Sequence, residues 1–280
     1  MSAPLRSRRG FLGATVLFVV VGCAPSSPDG GSGGGQTFSA TVGSGSSGGA
    51  SSEPKSDPAA PLALVEIFTS EGCNSCPPVE ERFATLEQTY TGQRAFFLAW
   101  HVDYWDYLGW ADPYGSEDFA NRQRNYASAF EQDSIFTPDL RVNTINQQPP
   151  TVASVSAAID AALEVAVPVA VTLWRERTMP DPLPVAFRVE GAPPDSVLHF
   201  ALVESGMLSE PTTGENAGAT LNHENVVRIH YAFEPVERGV LSLHVPDGVN
   251  LDEAKVVAWV QSRDLLTVHG AGMLPVATAD

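Results

Sequence analysis

The stretch Glu66–Phe83, EIFTSEGCNSCPPVEERF, holds two of the chain's three cysteines, Cys73 and Cys76. It overlaps the apolar, branched run Leu62-Ala63-Leu64-Val65-Glu66-Ile67-Phe68, which reads as a buried strand. Beyond the cysteines, Pro77 and Pro78 suit the first turn of a helix, where their missing N–H groups matter least. Val79, Phe83, Leu86 and Tyr90 then recur on one helical face, and Gly92 can end the helix. A Cys-x-x-Cys at such a junction suits a redox pair, half of a metal site or a structural disulfide. Compartment and fold bear on the choice.

The compartment is written in the first 60 residues. Ser7-Arg8-Arg9-Gly10-Phe11-Leu12 matches the twin-arginine export pattern. The apolar stretch that follows, Phe11 to Gly22, falls well short of the roughly 20 residues a spanning helix needs. It reads as the core of a signal peptide. The stretch closes on Val20-Val21-Gly22-Cys23, which resembles the lipobox of bacterial lipoproteins. That resemblance implies cleavage before Cys23, acylation at this residue, and anchoring in the cell envelope by several chains, where one would be marginal. Ala24 follows where an inner-membrane retention Asp would stand, which favours the outer membrane. Residues 24–60 are mostly Gly, Ser, Pro and Ala. They read as a flexible tether on the order of 35 Å in coil span. Outside the cytosol disulfides persist. With Cys23 acylated, Cys73 and Cys76 have no partner but each other or another molecule.

Charge narrows the partners. The chain carries 33 acidic against 16 basic residues, and three of those bases, Arg6, Arg8 and Arg9, fall in the signal. A body this acidic excludes nucleic acid, whose phosphates need clustered Lys and Arg. Electrostatic adhesion to an anionic membrane is excluded on the same ground.

After the first helix comes AFFLAWHV, Ala95 to Val102, apolar throughout as a strand covered on both faces should be. A second helix is expected from Ser116, carrying Phe119, Tyr126 and Phe130. FTPDLRVN, Phe136 to Asn143, reads as a short strand. A third helix is expected near Thr151 to Leu163. Strand, CxxC, helix, strand, helix, strand, helix is the order of a thioredoxin-like α/β domain, placed here at residues 61–164. Such proteins set a cis proline at the start of the strand after the second helix, facing the cysteines. Thr137-Pro138 stands at the matching position.

Residues 165–280 change to a period of two. Val169, Val171 and Leu173 alternate with Ala170, Thr172 and Trp174. Val227, Ile229, Tyr231 and Phe233 alternate with Arg228, His230 and Ala232. With VLHFALVE, VLSLHV, VVAWVQ and LLTVHGA, about seven short strands point to a C-terminal β-sandwich domain. The loop-like GENAGATLNHENVV, Gly214 to Val227, either folds over the cysteines and presents His223 to them or closes a hairpin.

Several blocks together, VEIFTSEGCNSCPP, HVDYWDYLGWADPY, FTPDLRVN and GENAGATLNHENVVR, resemble one bacterial family. It is the exported, thioredoxin-like group catalogued as domain of unknown function 1223. The resemblance spans Leu62 to Leu274 and implies no particular reaction.

The chemistry follows from topology. Ligands of open α/β sheets collect at the carboxyl ends of strands. Cys73, His101 with Asp103, and Thr137-Pro138 should meet at one such edge. Cys73, at a helix N-terminus that lowers a thiol pKa, takes the attacking role and Cys76 the resolving one. Glu71, Glu80 and Glu81 oppose the thiolate, with Arg82 alone against them. His101 is expected to carry a proton or ligate a metal, oriented by Asp103. Its alternative is a satisfied buried histidine. The leading expectation is thiol–disulfide exchange with envelope protein thiols or disulfides and no cofactor. The alternatives are a copper(I) chaperone using Cys73, Cys76 and His101, since soft thiolates select that ion, and a non-catalytic interaction lipoprotein.

Overall fold

The computed structural model describes residues 60–175 and 183–277. The expected signal, the acylated Cys23 and the tether lie outside the described residues. The chain begins β1 (Ala63–Thr69), α1 (Pro77–Thr89), β2 (Ala95–His101), α2 (Glu117–Ala129), β3 (Asp139–Val142), β4 (Ile145–Asn146) and α3 (Val152–Leu163). It continues as β5 (Ala170–Arg175), β6 (Leu183–Glu190), β7 (Ser196–Glu204), β8 (Met207–Ser209), β9 (Leu221–His223), β10 (Val226–Phe233), β11 (Arg238–Leu243), β12 (Ala254–Ser262) and β13 (Val268–Pro275). Local chemistry sets the helix starts. The Ser116 side chain accepts from the Asp118 amide at the head of α2. Thr151 and Ser154 form a reciprocal capping box on α3.

The expected fold class is corrected here. The chain is mostly β, and it is not a thioredoxin-like α/β domain followed by a β-sandwich. One eight-stranded mixed sheet runs through both halves, in the order β13-β12-β7-β10-β2-β1-β3-β4. Its seam lies between β2 and β10, which pair in parallel at Val226 and Ala99. The Ala99 amide donates to the Asn225 carbonyl there at 2.7 Å. From β10 the strands β7, β12 and β13 extend the sheet antiparallel. The physical reason is burial. β7 and β12 are buried on both faces along most of their length, as strands in the middle of a covered sheet must be. Outside it, β11, β6 and β5 form a three-stranded antiparallel sheet, and β8 pairs with β9 in a two-stranded one.

The two faces of the large sheet are packed differently. On one, Leu64, Phe68, Leu98 and Trp100 join Val203, Val257 and Trp259 in a single core with Phe119 and Tyr126 of α2. On the other, Val65, Ile67, Phe97 and Ala99 pack under α1 and α3. Next to that cluster, Leu198, Phe200, Val256 and Ala258 pack against Val171, Val185 and Phe187 of the small sheet. Two glycines let the layers touch. A Cβ on Gly270 or Gly272 of β13 would stand 2.2 or 2.3 Å from the carbonyl oxygen of Val169 or Val171. No side chain fits between those backbones.

Candidate functional site

The carboxyl ends of β1 and β2 lie side by side, with Thr69 opposite His101. β1 runs into Ser70-Glu71-Gly72 and then the cysteine turn, and Cys76 occupies the N-cap of α1. Cys73 and Cys76 are joined as a disulfide, with Cα atoms 5.5 Å apart. Both are buried, Cys73 at 3% and Cys76 at 0% exposure. Asn74 and Ser75 between them are exposed. Ser75 Oγ stands 3.4 Å from Cys73 Sγ.

Behind the disulfide lies a polar centre that the cysteine turn shares. His101 Nδ1 meets Asp112 Oδ2 at 2.8 Å, both side chains fully buried. The same oxygen accepts from the Glu71 amide at 2.8 Å. His223, at the end of β9, reaches in between two carboxylates. Its Nε2 stands 3.1 Å from Glu71 Oε1 and its Nδ1 2.9 Å from Glu80 Oε2. Glu80 sits in the first turn of α1 and also accepts from the Thr69 hydroxyl. The Trp110 indole donates to the second oxygen of Glu71 at 2.6 Å. The His101 and His223 rings meet edge to face, centroids 5.0 Å apart, and Tyr114 packs against both.

Charge follows from these contacts. Burial pushes the His223 imidazole down. The hydrogen bonds to Glu71 and Glu80 and their charges outweigh it and raise His223 to about 10. Burial pushes Glu80 up, but the His223 hydrogen bond and the neighbouring imidazoles hold it below its ordinary value. Asp112 is likewise held low against its burial by His101 and the amides of Glu71 and Tyr114. Glu71 and Glu80, expected to oppose a thiolate at Cys73, are thus turned onto an imidazolium.

The loop after β8 closes over the turn. Asn216 Nδ2 donates to the carbonyls of Glu71 (2.7 Å) and Cys73 (3.1 Å). Glu215 accepts from the Asn74 amide at 3.3 Å. This is the covering role expected of GENAGATLNHENVV as one of two readings.

Thr137-Pro138 carries a cis bond. The Trp105 indole donates to Thr137 Oγ1 at 2.7 Å. Trp105 also packs on Gly72, where an added Cβ would stand 2.9 Å from Trp105 Cβ. Trp105 therefore links Thr137 to the cysteine turn. Asp103 is a correction, because the carboxylate that orients His101 is Asp112. Alternation would place Asp103 beside His101 only in a continuing strand. β2 ends at His101, and the chain turns there, with the Asp106 amide donating to the Asp103 carbonyl. Asp112, Glu71 and Glu80 are the residues this reading did not pair with the histidines. An acid inside the aromatic run DYWDYLGWADPY is the signal that could have pointed to Asp112.

The family model described as "Protein of unknown function (DUF1223)" matches residues 64–261. The chain belongs to that family. Its fold is shared with two solved structures. An X-ray crystal structure of an Agrobacterium tumefaciens protein is 22% identical, with a TM-score of 0.60, over 79% of this chain and 97% of that one. HBP35 of Porphyromonas gingivalis is 17% identical, with a TM-score of 0.55, over 79% and 77%. The first match takes in nearly all of its partner, so that protein shares the fold of this DUF1223 member along nearly its whole length. No curated protein matches the chain.

Proposed function

We propose that this DUF1223 protein performs thiol–disulfide exchange with protein partners of the bacterial cell envelope, through Cys73 and Cys76. The observation that carries the reading is the disulfide seated between the end of β1 and the N-terminus of α1. A bridge across two intervening residues restrains the unfolded chain little, so stabilisation is a poor reason for it. The helix N-terminus and the Ser75 hydroxyl both favour a thiolate at Cys73. His223 neutralises the acids on either side of the turn.

The step balances as a two-electron exchange. The Cys73 thiolate attacks one sulfur of a partner disulfide and expels the other as a thiolate. The Cys76 thiolate then attacks Cys73 Sγ, restores the internal disulfide and releases the second partner thiolate. The protein dithiol is oxidised and the partner disulfide reduced. The reverse order oxidises a partner dithiol. Displacement of Asn216 from the Cys73 carbonyl would open the turn to a partner.

Cys76→Ser should accumulate mixed disulfides between Cys73 and envelope proteins, seen as dithiothreitol-sensitive bands that carry this chain. Cys73→Ser should accumulate none. Equal trapping by both variants, or by neither, would reject the assignment of the attacking sulfur.

A further inference from the structure

We propose that Glu80, His101 and His223 form a binding site for a first-row divalent transition-metal ion, with zinc as the reference ion. This does not rest on the exchange reading, because none of the three donors is a thiol. One donor atom from each residue lies within 4.8 Å of the other two. Tetrahedral donors about 2.1 Å from zinc stand about 3.4 Å apart, so a small side-chain closure completes that part of the shell. Two imidazoles and one carboxylate suit zinc or ferrous iron and leave further coordination positions open.

Three observations distinguish this cluster from an ordinary polar core. First, His101 Nε2 is buried and has no hydrogen-bond partner among the described residues. A buried ring nitrogen left unpaired costs free energy unless something binds it. Second, each histidine has its other nitrogen on a buried carboxylate. Asp112 holds His101 through Nδ1, and Glu71 holds His223 through Nε2. Carboxylate–histidine pairs of this kind fix ring orientation and tautomer at metal centres. Third, those carboxylates are themselves fixed. The Glu71 and Tyr114 amides donate to Asp112, and the Trp110 indole donates to Glu71. The groups that would orient both imidazoles are therefore already in place.

In the metal-free state His223 Nδ1 faces Glu80 Oε2 directly. Binding replaces that hydrogen bond. His223 gives up its Nδ1 proton to solvent, and the ion takes the position between imidazole and carboxylate. His101 contributes Nε2. The ion would then stand at the foot of the cysteine turn, because Glu71 lies two residues before Cys73 and Glu80 four after Cys76.

The test is calorimetric titration of zinc into the full chain, with the Cys73–Cys76 disulfide intact and verified by the resistance of those two residues to alkylation. Wild type should bind one ion per chain and rise in Tm, and cobalt(II) should give the visible bands of a low-coordinate site. Glu80→Gln and His223→Gln should weaken binding by more than about 100-fold. Asp112→Asn, one step removed from the ion, should weaken it about 10–100-fold. Glu81→Gln, an exposed neighbour, should bind as wild type does. The wild-type result stands whether or not a variant folds. No stoichiometric binding by wild type would overturn the proposal. So would binding that appears only after reduction, which would assign the ion to the thiolates. Undiminished affinity in a folded Glu80→Gln protein would overturn it as well.

Discussion

Glu66→Ala should destabilise the fold by about 3–5 kcal/mol, the usual loss when one partner of a buried ion pair is removed. Glu66 is wholly buried on β1 in an otherwise apolar run. Arg122 of α2 donates to its Oε1 from Nε at 2.9 Å and from Nη2 at 2.7 Å. The Trp100 indole donates to the same oxygen at 3.0 Å, and Tyr126 OH donates to Oε2 at 2.6 Å. Gln261 of β12 ties the group across the seam, donating to Tyr126 OH and accepting from Arg122. Removing the carboxylate leaves a guanidinium, an indole and a phenol buried without their acceptor. The double variant Glu66→Leu/Arg122→Leu removes both charges and should recover much of the loss, giving a large coupling energy in a double-mutant cycle. Chemical denaturation of wild type, Glu66→Leu, Arg122→Leu and the double variant measures it. Additive losses would show that the two groups do not act as a pair.

Acid should unfold this protein from a second buried centre. His199 and His230 stack on each other and on Trp259, and His199 Nδ1 stands 3.1 Å from His230 Nε2. Arg122 lies over the Trp100 and Trp259 rings beside them. Burial and the Arg122 charge push His230 down to about 3. The same causes, with His230 added, hold His199 well below its ordinary value. The unfolded chain therefore binds protons that the folded one refuses as pH falls below about 6.5. Stability present at neutral pH is lost by about 1.4 kcal/mol per pH unit from His230 alone, toward about pH 3. The raised His223 stabilises the fold fully once pH is below its unfolded value, where it is protonated in both states and adds no slope of its own. Below about pH 4.5, loss of the lowered Glu80 and Asp112 carboxylates steepens the fall. His199→Phe/His230→Phe removes both partners of one hydrogen bond, which is nearly neutral in itself. It should flatten the profile to the shallower slope left by His269, which burial also holds low. Urea midpoints across this range measure it, and an unchanged slope in the double variant would refute the cause.

Much of the local structure was legible because its causes are local. The apolar run into Cys73, the prolines after Cys76, Ser116 before α2 and Thr151 before α3 each act over a few residues. The count of thiols left Cys73 and Cys76 to pair with each other or with another molecule, and the structure joins them to each other. What failed was long-range. The run VVAWVQ is apolar on both faces, which marks a covered central strand, yet period-two neighbours drew it into an expected sandwich. Nothing near Val226 announces that it pairs with Ala99, and that one seam joins the two halves into one sheet. The polar centre was half visible for the same reason. His101, Glu71 and Glu80 could each be read as near the cysteines. The partners that give them roles, Asp112 and His223, arrive from an aromatic loop and a strand of the second half.

The most direct test of exchange is the redox equilibrium of the Cys73–Cys76 pair in the folded protein. The full chain is equilibrated with glutathione or dithiothreitol buffers of graded potential, quenched by alkylation and weighed, while circular dichroism follows the fold. Exchange predicts a two-electron transition above about −300 mV, the region where bridges are labile to the glutathione pool, with the fold retained. It also predicts that the reduced protein opens a protein disulfide and that Cys73→Ser does not. A pair that stays oxidised until the chain unfolds, or a reduced pair that passes no electrons to a protein disulfide, would contradict it.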